Sequence, residues 1–182
     1  MLKHYWHRSS KHFSKLFPDL PSSTSDTEVK AVVDRPLVWA ERDDSLIRFQ
    51  TYRLRIEMQH RDSELWYSAE YWSFKVGDEL NDKYRLNVSG YSGDAGDALQ
   101  YEGDWNGNGG FGNYLHNGMM FSTYDQDNDR YDDNCVAERG GGWWFNRCEQ
   151  CCLTCWWKKH RWDFLPGDRK RIAVSRMMIK PQ

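Results

Sequence analysis

Two clusters in this chain hold residue types that can do chemistry. The first is the run DQDNDRYDD, Asp125 to Asp133. Carboxylates at alternate positions of a tight loop converge on a hard cation, and Ca²⁺ takes about six to eight such oxygens. Asp125, Asp127 and Asp129 match the opening of an EF-hand loop. Arg130 then stands where that loop needs Gly and Val136 where it needs Glu, so an EF-hand is excluded. The bare motif fits a calcium loop and a solvated acidic turn alike. The second cluster is cysteine. All five cysteines lie between Cys135 and Cys155, and an odd number leaves at least one free, intermolecular or metal-bound. Cys148, Cys151, Cys152 and Cys155 spell C-x2-C-C-x2-C, with His160 nearby. Zinc sites draw ligand pairs from separated knuckles, so this crowding makes a closed tetrahedral site awkward. Cys135 and Cys148 bracket a Gly-Gly-Gly-Trp-Trp bend and can close a loop worth about 3 kcal/mol as a disulfide.

Other motifs carry less. GNGGFG at 107–112 matches G-x-G-x-x-G, but neither flank reads as the strand and helix that dinucleotide binding needs. Asn87-Val88-Ser89 is an N-glycosylation triplet, of consequence only in a secreted chain. No nucleophile elbow, H-E-x-x-H or paired Ser/His/Asp spacing is present, so no enzyme is expected.

The elements that must position these clusters read as sheet and long loops. Tyr52, Leu54, Ile56 and Met58 alternate with charged residues, the period-2 mark of a half-buried strand. Leu65–Phe74, Tyr84–Val88, Met119–Tyr124 and Ile172–Ile179 are further strand candidates. A short DAGDAL segment has Asp94 as its helix cap, and Asn117-Gly118 marks a tight turn. Residues 1–45, with the Ser/Thr/Pro-rich run PSSTSDTE at 21–28, read as an unassigned, flexible basic tail ahead of a domain at 46–182. The chain has 182 residues and 25 Lys and Arg against 27 Asp and Glu, so global charge points to no nucleic-acid partner. No apolar run approaches the ~18 residues of a membrane helix, and no secretory signal is readable. Charge is segregated all the same. Asp94–Asp133 holds nine acidic residues and one basic, and Trp156 to the end holds eight basic and two acidic.

KVGDELNDKYRLNVSGYSGDAGDAL (75–99), HNGMMFSTYDQDNDRYDDNC (116–135) and GGWWFNRC (141–148) together resemble the C-terminal half of a fibrinogen-related domain. That is the module of fibrinogen chains, ficolins, tachylectins, angiopoietins and tenascins. YRLRIEMQHRDSELWYSAEY (52–71) is similar to its preceding strands and MMIKP (177–181) to its closing strand. The resemblance implies an α+β domain: a twisted, mainly antiparallel sheet with a loop-rich calcium- and ligand-binding subdomain. It implies Ca²⁺ held by the Asp127 and Asp129 side chains and the Tyr131 and Asp133 carbonyls. It implies a Cys135–Cys148 disulfide and a cis peptide at Arg147–Cys148. Around that turn, Arg147, Cys148, Glu149, Trp143, Trp144 and Trp157 would form a ligand pocket, with Glu149 where the family has His.

The function so implied is non-enzymatic, secreted recognition: lectin-like binding of acetylated glycans or pathogen surfaces in innate immunity. A protein- or peptide-binding module of coagulation, matrix or receptor signalling is the alternative, and an intracellular Cys-cluster metal or redox protein is a third. The first third of the family domain has no counterpart in residues 1–45, and the loop after Cys155 is shortened to KKHRWDF. The ionised Glu149 carboxylate accepts rather than donates, which shifts the expected ligand toward cationic peptides. Cys151, Cys152 and Cys155 fall outside the family's framework. Beside Lys158, Lys159 and Arg161 they are expected to be exchange-prone thiolates able to link chains into oligomers.

Overall fold

The structure is a computed structural model that describes residues 29–32, 51–101, 114–156, 159–167 and 170–182. Strand β1 (Val29–Val32) lies within the stretch that the sequence left unassigned. In β2 (Tyr52–His60), Tyr52, Leu54, Ile56 and Met58 are buried while Arg53 and Arg55 face solvent. That alternation follows from the pleat, which sends successive side chains to opposite faces. A turn through Glu64, which takes a positive φ of 59°, leads into β3 (Trp66–Val76), antiparallel to β2. β4 (Leu86–Gly93) pairs with β3, and β7 (Ile172–Pro181) returns to lie between β1 and β2. The resulting sheet has five antiparallel strands in the order β1-β7-β2-β3-β4. β5 (Cys151–Cys152) and β6 (Arg161–Trp162) form a separate two-stranded ribbon.

Among the described residues two short helices interrupt the loops where polar caps permit. α1 (Glu79–Asp82) starts at Asp78, whose side chain accepts the Asn81 N–H at 2.8 Å. α2 (Cys135–Arg139) starts at Asn134, which accepts the Ala137 N–H at 2.9 Å. Each cap satisfies one of the N–H groups that a helix start leaves without an intrahelical partner.

Three local expectations are corrected. The DAGDAL segment forms no helix, because Asp94 is engaged elsewhere: its carboxylate accepts the Ser68 N–H at 2.6 Å. The Asp94 and Ala95 N–H groups both donate to the Ser68 carbonyl, pinning the segment to β3. Met119–Tyr124 is not a strand but an irregular segment touching others through single bridges, Ser122 to Trp143 and Thr123 to Gln126. The strand expected over Tyr84–Val88 is β4 and begins only at Leu86, since Lys83 and Tyr84 both take left-handed backbone conformations, with φ 49° and 56°.

The core lies on one face of the sheet. There the alternating apolar residues of β2, β3 and β4 meet Trp143, Trp144, Phe145, Trp162 and Leu165 from the loop-rich lobe, all with at most 1% exposure. Aromatic side chains bury ~150–250 Å² each, so irregular loops can supply a core without regular periodicity.

Candidate functional site

The acidic loop hangs from a hydrogen-bonded base. Ser122 is wholly buried, and its hydroxyl accepts the Asn128 N–H at 3.0 Å. The Asn128 side-chain amide donates to the Phe121 carbonyl at 2.8 Å, and Thr123 donates to Asp125 at 2.8 Å. Asp127 accepts the Asp129 N–H at 3.3 Å. Asp129 is the most engaged carboxylate, taking N–H bonds from Tyr131 at 2.9 Å and Cys135 at 3.1 Å. Burial raises the Asp129 carboxyl above the ordinary carboxylate range and the Asp127 charge adds to this, while the two N–H donors act against it. Asp127 and Asp133 are exposed, and Tyr131 is half-buried. Among the described residues no three His, Cys, Asp or Glu side chains converge as a metal cage. A cation here would therefore rely on the Asp127–Asp129 pair supplemented by main-chain carbonyls and water.

Three links join this loop to the next segment. Cys135 and Cys148 are disulfide-bonded, with Cα atoms 5.4 Å apart. The Arg130 N–H donates to the Asn146 carbonyl at 2.9 Å, and Arg147 meets Asp132 at 3.5 Å. The last is an exposed contact worth little by itself. The Arg147–Cys148 peptide bond is cis. Arg147 is exposed, whereas Cys148 is buried beneath it.

The other residues assigned to the pocket are placed differently from the expectation. Trp143 and Trp144 are core residues, stacked edge-on with ring centroids 5.2 Å apart, and not open walls. The Trp144 indole donates to the Tyr84 carbonyl at 2.8 Å. Glu149 points inward, with its side chain only 1% exposed. Both its oxygens accept from Arg139 Nε, at 2.9 and 2.7 Å. Burial pushes the Glu149 carboxyl up, and the Arg139 and Arg161 guanidiniums pull it back. A carboxylate satisfied from inside the fold is not offered to a ligand. Trp157 lies outside the described residues, as does the GNGGFG motif.

The cysteine cluster is corrected too. Cys152 and Cys155 form a second disulfide, and Cys151 is free but wholly buried. Burial, with the charges of Asp163 and Glu149, raises the Cys151 thiol well above its ordinary value. Burial outweighs the basic neighbours in sequence, and the nearby acidic charges add to it. No thiol is left at the surface to bridge two chains. The disulfide loop packs on the bend after α2: a Cβ on Gly141 would lie 2.1 Å from the Thr154 carbonyl oxygen, so only glycine fits.

One organising residue escaped the sequence. His116 is completely buried, donates from Nδ1 to the Trp144 carbonyl at 2.8 Å, and accepts at Nε2 from the N–H groups of Gln150 at 3.2 Å and Cys151 at 3.4 Å. Two donors at Nε2 require the proton on Nδ1, and burial lowers the ring to about 4. His116 thus ties the Asn117-Gly118 turn to the segment after Cys148. Its sequence signals were its place beside that turn and at the head of the run 116–135. Asn87 is exposed on β4.

A family model described as the C-terminal globular domain of fibrinogen beta and gamma chains matches residues 38–182. Fibrinogen-like protein 1 of Bos taurus is 41% identical over 112 residues, 59% of this chain and 33% of that protein. Fibrinogen-like protein A of Apostichopus parvimensis is 33% identical over 138 residues, 71% of this chain and 43% of its own length. The chain thus spans less than half the length of these curated relatives. Among solved structures, the fibrinogen-like globe domain of human ANGPTL2 aligns with TM-score 0.57 at 30% identity, covering 72% of this chain and 59% of that one. A lamprey fibrin D-dimer complexed with the peptide Gly-His-Arg-Pro-amide aligns with TM-score 0.62 at 30% identity, over 71% of this chain and 45% of that one. With a family match over this much of its length, and a fold that aligns with a fibrinogen-like globe domain, this chain belongs to the family of the fibrinogen C-terminal globular domain.

Proposed function

We propose that this chain is an extracellular, non-enzymatic recognition module that binds a cationic peptide segment of a protein partner beside a calcium-stabilised acidic loop. The observation that carries this reading is the triple linkage of the acidic loop to the Arg147–Cys148 turn, by the Cys135–Cys148 disulfide, the Arg130–Asn146 hydrogen bond and the Arg147–Asp132 contact. Whatever holds the loop also shapes the turn. Two intrachain disulfides suit an oxidising compartment.

Calcium fits the loop chemically. Burial, and with it the like charge of Asp127, raises the Asp129 carboxyl, and a divalent cation would relieve that repulsion. Asp127 and Asp129 would hold the ion, with the carbonyls of Tyr131 and Asp133. So few carboxylates imply the weak affinity of extracellular modules, ~10⁻⁴–10⁻³ M. The peptide preference rests on the exposed carboxylates of Asp125, Asp127, Asp132 and Asp133 around the turn, and on the peptide that the lamprey neighbour binds. Acetylated glycans are the competing ligand. They lose support because Glu149, Trp143 and Trp144 face the interior.

The test is binding to immobilised Gly-His-Arg-Pro-amide and to an N-acetylglucosamine resin, each with calcium and with chelator. Calcium-dependent retention on the peptide, lost in the Asp127→Ala, Asp129→Ala double variant, is expected. Retention on the sugar resin alone would overturn the peptide reading. Calorimetric calcium binding unchanged in the double variant would place the metal elsewhere.

A further inference from the structure

The solvent face of the sheet, opposite the face that packs on Trp143 and Trp144, carries a groove of about 360 Å³. A second hollow of about 320 Å³ shares Arg53, Trp72 and Lys180 with it. Among the described residues, the other charges beside the groove are paired with one another. Arg55 bonds to Glu57 at 2.8 Å and to Glu70, and Arg176 bonds to Glu57. Two acids thereby balance two guanidiniums. Arg53 and Lys180, cross-strand partners in the β2–β7 register, have no ion pair among the described residues. Arg53 lies over the Trp72 ring at 3.3 Å from its centroid, and Trp72 is 57% exposed. Room for that indole comes from Gly90 on β4, where a Cβ would sit 2.7 Å from the Trp72 Cβ. Met178 supplies an apolar floor.

We propose that this groove binds an anionic glycan, its sulfate or carboxylate groups held by Arg53 and Lys180 and its sugar rings lying against Trp72 and Met178. An exposed excess of positive charge beside an aromatic surface matches a ligand with an apolar ring face and peripheral anions. An acidic peptide is the weaker fit. β2 and β3 are each paired on both sides, so the strands that carry Arg53 and Trp72 offer no free edge to an added strand, the usual means of holding an extended peptide. The site shares no residue with the acidic loop, so it stands or falls separately from the proposed calcium function.

Heparin oligosaccharide is the probe, titrated against the full disulfide-intact chain between 50 and 200 mM salt, with neutral dextran and polyglutamate as comparators. Tight heparin binding is expected in the wild type. In Arg53→Gln with Lys180→Gln the affinity should fall at least tenfold. The slope of log K against log salt should fall by roughly two, one per cation removed. Trp72→Ala should weaken binding without changing that slope. All three positions are exposed, so thermal midpoints should hold, and should Trp72→Ala fail to fold, the cation pair decides alone. Asp127→Ala with Asp129→Ala should leave heparin binding intact. Heparin affinity unchanged in the cation variant, or polyglutamate or dextran bound as tightly as heparin, overturns the proposal.

Discussion

Removing Arg139 tests the inward placement of Glu149 directly. Glu149 has 1% side-chain exposure, and both its oxygens are bonded to Arg139 Nε at 2.7–2.9 Å. Arg139→Met keeps apolar bulk but leaves that carboxylate without its nearest cation, and stranding one member of a buried pair costs about 3–5 kcal/mol. Arg161 is close enough to act on Glu149 electrostatically, so the lower end of that range is expected. Glu149→Gln should cost less, about 1 kcal/mol, because Arg139 is 22% exposed and retains Glu138 at 2.8 Å. The double variant should be more stable than Arg139→Met alone, since it strands no charge. The pH dependence has a definite sign. Burial already raises the folded carboxyl above its unfolded value, and losing Arg139 raises it further. The penalty is therefore absent below the unfolded carboxyl range near pH ~4 and grows as pH rises. Urea unfolding at pH 7 and pH 5 reads this out, with the Arg139→Met deficit smaller at pH 5. Equal, pH-independent losses of less than about 1 kcal/mol in both single variants would mean that Glu149 faces solvent, and the pocket would have to be redrawn.

Three further outcomes are expected. His116 is held near 4 against an ordinary 6.5, so the unfolded chain binds its proton first. Stability present above pH ~6.5 should fall by up to about 3 kcal/mol as pH drops to 4, and His116→Gln should flatten that slope in urea titrations across this range. Cys151 should resist iodoacetamide in the native state and react once in denaturant. Native-state labelling of one thiol per chain would contradict its burial. Replacing Cys135 and Cys148 by Ala should cost about 3 kcal/mol in thermal or urea unfolding, from the lost loop constraint. A loss below 1 kcal/mol would show the bond to be dispensable.

Much of the sheet was legible because a strand with one buried face must alternate, and β2 spells that alternation residue by residue. The Asn117-Gly118 turn was legible for a comparable local reason: Gly118 takes a φ of +82°, which few other residues tolerate. The order of the motif runs from 75 to 148 carried the family, and with it the Cys135–Cys148 bond that the structure holds. What local sequence could not decide was direction. Glu149, Trp143 and Trp144 have types that serve equally in a pocket or a core, and only the position of Arg139 and the crowding of the lobe against the sheet turned them inward. Cys151, Cys152 and Cys155 sit in a basic stretch of sequence, but the fold buries Cys151 completely and brings Asp163 and Glu149 near it. Asp94 had the composition of a helix cap and was taken instead by the Ser68 backbone, twenty-six residues away in sequence. Propensity and periodicity act over a few neighbours, whereas burial, charge environment and hydrogen-bond satisfaction are set by residues distant in the chain. The sequence therefore carried the strands and the family, and tertiary packing alone determined which chemically capable side chains reach solvent.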